Sequence, residues 1–151
     1  MVSKADPIRV FVGHTWDADE DYLRVFEFLE GARNFYYVNS SAPDRRPPGG
    51  KEAEREELRK QIAPAEAVIL LASHHRRAPD LVEFQANFAK ASDKPVVLLS
   101  SFGSTSAISK ALLALADENI QWDERALIDA LKRQARHEET QRWDSIDFTP
   151  E

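Results

Sequence analysis

Ala67-Val68-Ile69-Leu70-Leu71 places five apolar residues in succession, between the Ala63-Pro64 turn and the polar run Ser73-His74-His75. A strand with one wet face alternates apolar and polar residues. One without alternation is covered on both faces, the condition of a central strand in a parallel sheet flanked by helices. Val96-Val97-Leu98-Leu99 repeats the pattern after Lys94-Pro95. Between them, Asp80 to Ala91 carries Leu81, Phe84 and Phe88 on one helical stripe, with Asp80 and Glu83 at capping-box spacing. Strand, helix and strand make one crossover unit, and parallel neighbours need such crossovers.

The same alternation extends outward in both directions. Toward the N-terminus, Lys51 to Ile62 is a charged helix docked by Leu58 and Ile62, and Asn39 to Gly50 is a loop holding three prolines and two glycines. Phe35 to Val38 reads as a short strand. Asp17 to Glu30 reads as an amphipathic helix through Tyr22, Val25, Phe26 and Leu29, opened by an Asp17/Glu20 capping box and stopped at Gly31. Ile8 to Val12 is the first strand, running into Gly13. Toward the C-terminus, Ile108 to Ala116 reads as a helix, Asn119 to Trp122 as an edge strand and Glu124 to Arg136 as the last helix. The expected organisation is an N-terminal extension (1–7), one α/β domain (8–136) and a polar tail (137–151) pinned by Trp143 or Phe148. Five strands alternating with helices predict a flavodoxin-like three-layer sandwich with a five-stranded parallel sheet in the order 2-1-3-4-5. That order puts the topological switch point between strands 1 and 3. Ligands are therefore expected at Gly13 to Asp17 and at Ser73 to Asp80.

Composition removes whole classes of chemistry. The chain has no cysteine, so thiolate catalysis and sulfur-built metal sites are excluded. A net charge of −6 argues against nonspecific nucleic-acid binding, which requires a basic face. No stretch approaches the roughly 20 apolar residues that span a bilayer. Met1 to Pro7 lacks the apolar core of a secretory signal, so the expected location is the cytoplasm. There is no P-loop, no glycine-rich dinucleotide fingerprint and no nucleophile elbow. Strand 3 ends without the aspartate of a phosphoacceptor. His74-His75 has no supporting cluster of acidic ligands, so no metal is expected. Arg76-Arg77 could grip a diphosphate bidentately, or could simply be solvated in a loop.

Four stretches together resemble the TIR-like domains of bacteria, above all the stand-alone kind found in the Thoeris anti-phage system. They are Val10-Phe11-Val12-Gly13-His14-Thr15-Trp16, Leu58 through Leu71, Leu81 through Lys90, and Lys94-Pro95-Val96-Val97, followed by similarity from Ala116 through Trp122 to Ile128. The resemblance covers residues 8 to 133. It implies a domain that takes NAD as substrate, without a further cofactor, and cleaves the bond between nicotinamide and ribose. The product is an ADP-ribose-derived signal sensed by a separate effector protein in antiviral defence. Developing positive charge on the ribose calls for an anionic carboxylate beside it.

The family carries that glutamate nine residues before the lysine of the Lys-Pro pair, a count that lands on Gln85 in this chain. An amide can hydrogen-bond ribose hydroxyls but supplies no negative charge. Loss of a positioned acid or base costs about 10² to 10⁴ in rate, so the expected polypeptide is inactive or substrate-trapping. Gln85 is then either a natural non-catalytic residue or a near-isosteric replacement of a glutamate. Glu83 lies about 200° around the helix and is no substitute.

The remaining expected substrate contacts are His14, Thr15, Trp16, Asn39, Ser73 and His74. Trp16 offers a flat face for adenine or nicotinamide, or else packs under the Pro-rich loop. By the resemblance, Asn39-Ser40-Ser41 occupies a mobile loop that mediates head-to-tail homo-oligomers. Two alternatives stay open at this point. One is a non-catalytic interaction module on the same fold. The other is a nucleoside deoxyribosyltransferase-like enzyme, whose ribose-facing glutamate falls at the same position but whose aspartate and glycine run is missing here.

Overall fold

The computed structural model describes residues 3–100 and 110–138. Its five strands are β1 (Ile8–Val12), β2 (Tyr37–Asn39), β3 (Ala67–Leu71), β4 (Val96–Ser100) and β5 (Glu118–Gln121). They form one parallel sheet in the order β2-β1-β3-β4-β5. The α-helices are α1 (Glu20–Gly31), α2 (Lys51–Ile62), α3 (Ala72–Arg77), α4 (Pro79–Ala91) and α5 (Lys110–Leu115) between strands, and α6 (Glu124–Arg136) after β5. This is the flavodoxin-like three-layer sandwich that the uninterrupted Ala67–Leu71 run predicts.

Strand side chains alternate between faces, and here the alternation sorts two cores. Ile8, Val10, Val12, Ala67, Ile69, Leu71, Val97 and Leu99 pack with α1 and α6. Phe11, Val68, Leu70, Val96 and Leu98 pack with α2, α4 and α5 on the opposite face. All five residues of β3 are buried.

Three local expectations are corrected. Asp19, not Asp17, caps α1: its carboxylate accepts from the Tyr22 amide at 2.9 Å, and the helix begins at Glu20. The Asp80/Glu83 capping box does not form, because Pro79 occupies the first turn of α4 and Glu83 turns to His75 at 2.7 Å. Pro preset to helical φ opens a helix without a side-chain cap. The buried stripe of α4 is Val82, Gln85, Ala86 and Ala89, whereas Leu81, Phe84 and Phe88 are only partly covered.

Boundaries moved as well. β2 starts at Tyr37 rather than Phe35, and β5 covers Glu118–Gln121. Ser73 to Arg77 is helical as part of α3 rather than loop. The expectations for Ile108 and Ser109 and for the tail with Trp143 and Phe148 lie outside the described residues. No helix among the described residues is long and apolar enough to cross a membrane.

Candidate functional site

Where β1 ends, the chain must leave the sheet between two neighbours that run the same way. Gly13 makes that exit. Its N–H donates to the Ile69 carbonyl at 2.7 Å, and a Cβ placed there would stand 2.6 Å from Leu70 Cδ2 and 3.0 Å from Gln85 Oε1. A glycine is needed because sheet and helix α4 close on it from two sides.

Gln85 reaches up from α4 and is fully buried. Its Oε1 accepts from the His14 amide at 3.3 Å, and its Nε2 donates to the His14 carbonyl at 2.9 Å and the Leu81 carbonyl at 3.3 Å. One side-chain amide thus satisfies both backbone groups of a sealed residue, which neither a carboxylate nor an alkyl chain could do.

The His14 ring is also fully buried. Nδ1 accepts from the Trp16 amide at 3.2 Å, so Nε2 carries the proton and donates to Gln61 Oε1 at 2.9 Å. Burial pushes the His14 pKa below its ordinary value, outweighing the Gln61 hydrogen bond that opposes it. Gln61 completes the chain of contacts by holding the Ala42 peptide, accepting from its N–H at 2.9 Å and donating to its carbonyl at 3.1 Å. The loops after β1 and β2 are therefore fixed to α2 and α4 through the side chains of His14, Gln61 and Gln85. Trp16 leaves this network with φ of +69°, a left-handed conformation that is costly for a bulky side chain.

A second set of bonds fastens α3 to the start of α1. His74, almost wholly buried, meets both carboxylate oxygens of Asp19 at 3.1 Å, and Ser73 donates to Asp21 at 2.6 Å. Arg77 donates to Asp19 at 2.9 Å and to Thr15 at 3.0 Å, and its guanidinium lies 3.7 Å from Asp17. Burial pulls the Asp19 carboxyl upward, but the Tyr22 amide, His74 and Arg77 outweigh it and hold the group below the usual carboxylate range.

Above these fastenings lies a cleft of about 390 Å³. Thr15 and Trp16 form one wall, Arg46, Lys51, Glu54 and Arg55 a second, and Pro79 through Leu81 with Phe84 a third. The cleft sits over the carboxyl ends of β1 and β3, at the switch point that the strand order demands. It offers an aromatic edge, three cations and two carboxylates. Neither α2 nor α4 has a side-chain cap at its N-terminus, and both N-termini border the cavity.

Of the residues singled out by sequence, Thr15 and Trp16 line this cleft. His14 and Gln85 are sealed beneath it, and Ser73 and His74 belong to the α3 fastening. Asn39 folds onto its own turn, accepting from the Ser41 amide at 2.9 Å. Arg77 is committed to aspartates instead of standing free for a diphosphate. Sequence reasoning missed Gln61, Asp19, Arg46, Lys51 and Arg55. Asp19 carried a signal, as an acidic residue three positions before an apolar one at a helix start. The other four sit in charged or polar runs that look like a solvated surface. No group of metal-ligating side chains occurs among the described residues.

No protein-family profile matches the chain, and no curated protein matches it. Among solved structures, a protein described as pilus assembly-related from Burkholderia pseudomallei superposes with a TM-score of 0.54 at 17% identity, covering 89% of this chain and 94% of that one. At that identity the likeness concerns the fold alone: this chain shares its α/β sandwich architecture with that protein.

Proposed function

We propose that this is a TIR-like domain of the NAD-processing type that recognises NAD or an ADP-ribose-like nucleotide in the cleft beside Thr15 and Trp16 and does not cleave it. The supporting observation is the pairing of an open cleft at the switch point with a position 85 sealed beneath it. Cleavage of the nicotinamide–ribose bond asks for an exposed anion next to the sugar. Gln85 is neutral, covered and occupied with the His14 backbone.

By the same resemblance, the setting is antiviral defence in the cytoplasm. The partners are a separate effector protein and further copies of this chain, associating through the loop at Asn39 to Ser41. Binding without turnover makes the domain a nucleotide sensor or trap within that setting.

The test is a thermal melt and a titration with NAD and with ADP-ribose, alongside chromatography for free nicotinamide. Saturating nucleotide is expected to raise stability by about 2.7 kcal/mol at 100 times its Kd, with no nicotinamide released. A melting temperature indifferent to both nucleotides rejects recognition. Brisk release of nicotinamide by the unmodified chain rejects the non-cleaving half.

A further inference from the structure

We infer that the cleft seats a phosphate group on Arg55 and Lys51, and that Arg46 exchanges its internal partner Glu54 for that phosphate. The inference deepens the nucleotide reading above and rests on it for the rest of the ligand.

Lys51 and Arg55 stand four residues apart on α2 and so share one helix face, which is the face lining the cleft. Arg55 is half-buried, its guanidinium carbon 5.2 Å from the centre of the Phe84 ring. Stacking engages the flat face of a guanidinium and leaves its N–H edges available for two oxygens at once. Arg59 shares the same ring at 5.3 Å, yet it already answers to Glu52 and Glu56 at 3.6 and 3.0 Å. Among the described residues, no carboxylate pairs with Arg55 or Lys51. Of the two carboxylates on the cleft wall, Glu54 is engaged by Arg46, and neither it nor Asp80 pairs with Lys51 or Arg55, so these two cations are arranged for an anion from outside. The uncapped first turn of α2, beginning at Lys51 after Gly50, adds peptide N–H groups of the same sign.

Arg46 differs. Its Nε donates to Glu54 at 2.9 Å, with the arginine mostly exposed and the glutamate mostly covered. Both residues border the cavity. Glu54 therefore occupies the arginine edge that a second phosphate oxygen would take, and a bound phosphate must displace it. Glu54 acts as a built-in competitor that sets how strong an anion is needed for entry.

Calorimetry on the full chain with ADP-ribose, inorganic pyrophosphate and adenosine tests this. Arg55→Gln and Lys51→Gln should each weaken ADP-ribose and pyrophosphate by roughly tenfold, the loss of one charge-assisted contact. Both should flatten the salt dependence and leave adenosine binding unchanged. Arg55→Lys should recover only part of the loss, since it keeps the charge but not the fork. Glu54→Gln should tighten both phosphate ligands, and Arg125→Gln on α6 is the distant control that matches the charge change of Arg55→Gln and Lys51→Gln. Melting curves confirm that each variant is folded. If the Arg55/Lys51 double variant binds ADP-ribose as the wild type does, the phosphate seat is wrong and nucleotide recognition survives. If pyrophosphate binds in an Arg55-dependent way but no nucleotide does, the seat stands and the nucleotide reading falls. If Glu54→Gln weakens the phosphate ligands, the exchange step is overturned.

Discussion

Replacing Gln85 by alanine strips His14 of its partners while leaving its N–H and carbonyl buried. Each unsatisfied group costs about 1–3 kcal/mol, so Gln85→Ala should lose roughly 2–5 kcal/mol in a urea denaturation. Gln85→Glu separates an amide from an acid more finely. An ionised carboxylate would point at the His14 and Leu81 carbonyls, whereas a protonated one can donate to one of them. The introduced acid therefore has a folded pKa raised above its unfolded value near 4.3. Its contribution is present in acid and lost as pH rises through the folded pKa. Relative to the wild type, in which His14 favours pH 8 over pH 5, this variant should shift the difference between its urea midpoints at the two pH values toward greater stability at pH 5. His14 works in the opposite sense. Burial lowers its pKa, so the unfolded chain binds the proton more readily, and stability is complete above about 6.5 and declines as pH falls below it. A His14 resonance titrating by NMR at or above the ordinary value would contradict this sign. Position 85 was singled out in the sequence only through the resemblance, by counting back nine residues from Lys94. That its amide grips the peptide of His14, a residue 71 positions away, was not legible: a hydrogen-bond partner is set by tertiary packing, which no local spacing records.

Each element that the sequence made plain has one long apolar signature. β3 and β4 declare themselves by uninterrupted runs, and α6 was read at its observed bounds, Glu124 to Arg136. Helix α3 escaped because it is six residues long, polar at Ser73 to Arg77, and supported by side-chain contacts of His74 and Arg77 to Asp19, distant in sequence. The capping-box spacing misled for a definite reason: Asp17 has Glu20 three residues on, whereas Asp19 has Tyr22, yet it is Asp19 that accepts from the Tyr22 amide. Asp19→Ala removes the cap and unpairs His74 and Arg77 together. It should cost on the order of 2–4 kcal/mol. Asp17→Ala, which removes an exposed ion pair with Arg77 and an exposed hydrogen bond from the Thr15 hydroxyl, should stay below about 1 kcal/mol. Equal losses in the two variants would show that the cap and the α3 fastening carry no more weight than a surface contact. The Gly13→Ala variant probes the exit from β1: a methyl group 2.6 Å from Leu70 Cδ2 must displace it, at about 1–3 kcal/mol.

Across the whole molecule, Arg136 at the end of α6 ties the chain together from below the sheet. It bonds Glu66 before β3, together with Asp6 and the Pro7 carbonyl before β1, while Glu66 also accepts from the Arg9 amide. Burial by itself would raise the Glu66 carboxyl, but the Arg136 hydrogen bond, the Arg9 amide and both guanidinium charges outweigh it and hold it below its ordinary value. Its contribution is present above about 4.5 and disappears as pH falls through the folded pKa. Glu66→Gln should therefore flatten the acid limb of a stability profile, and an unchanged limb would exclude this group as its source. The sheet order has a kinetic consequence of its own. No two neighbouring strands are joined by a hairpin, and β1 receives its second neighbour only when Ala67–Leu71 arrives. A nascent chain must hold one flank of β1 unpaired until the ribosome has released residues beyond 71. During that interval the open flank is a template on which a second nascent chain can pair, so yield in the cell should respond to translation speed across the Pro-rich loop before α2.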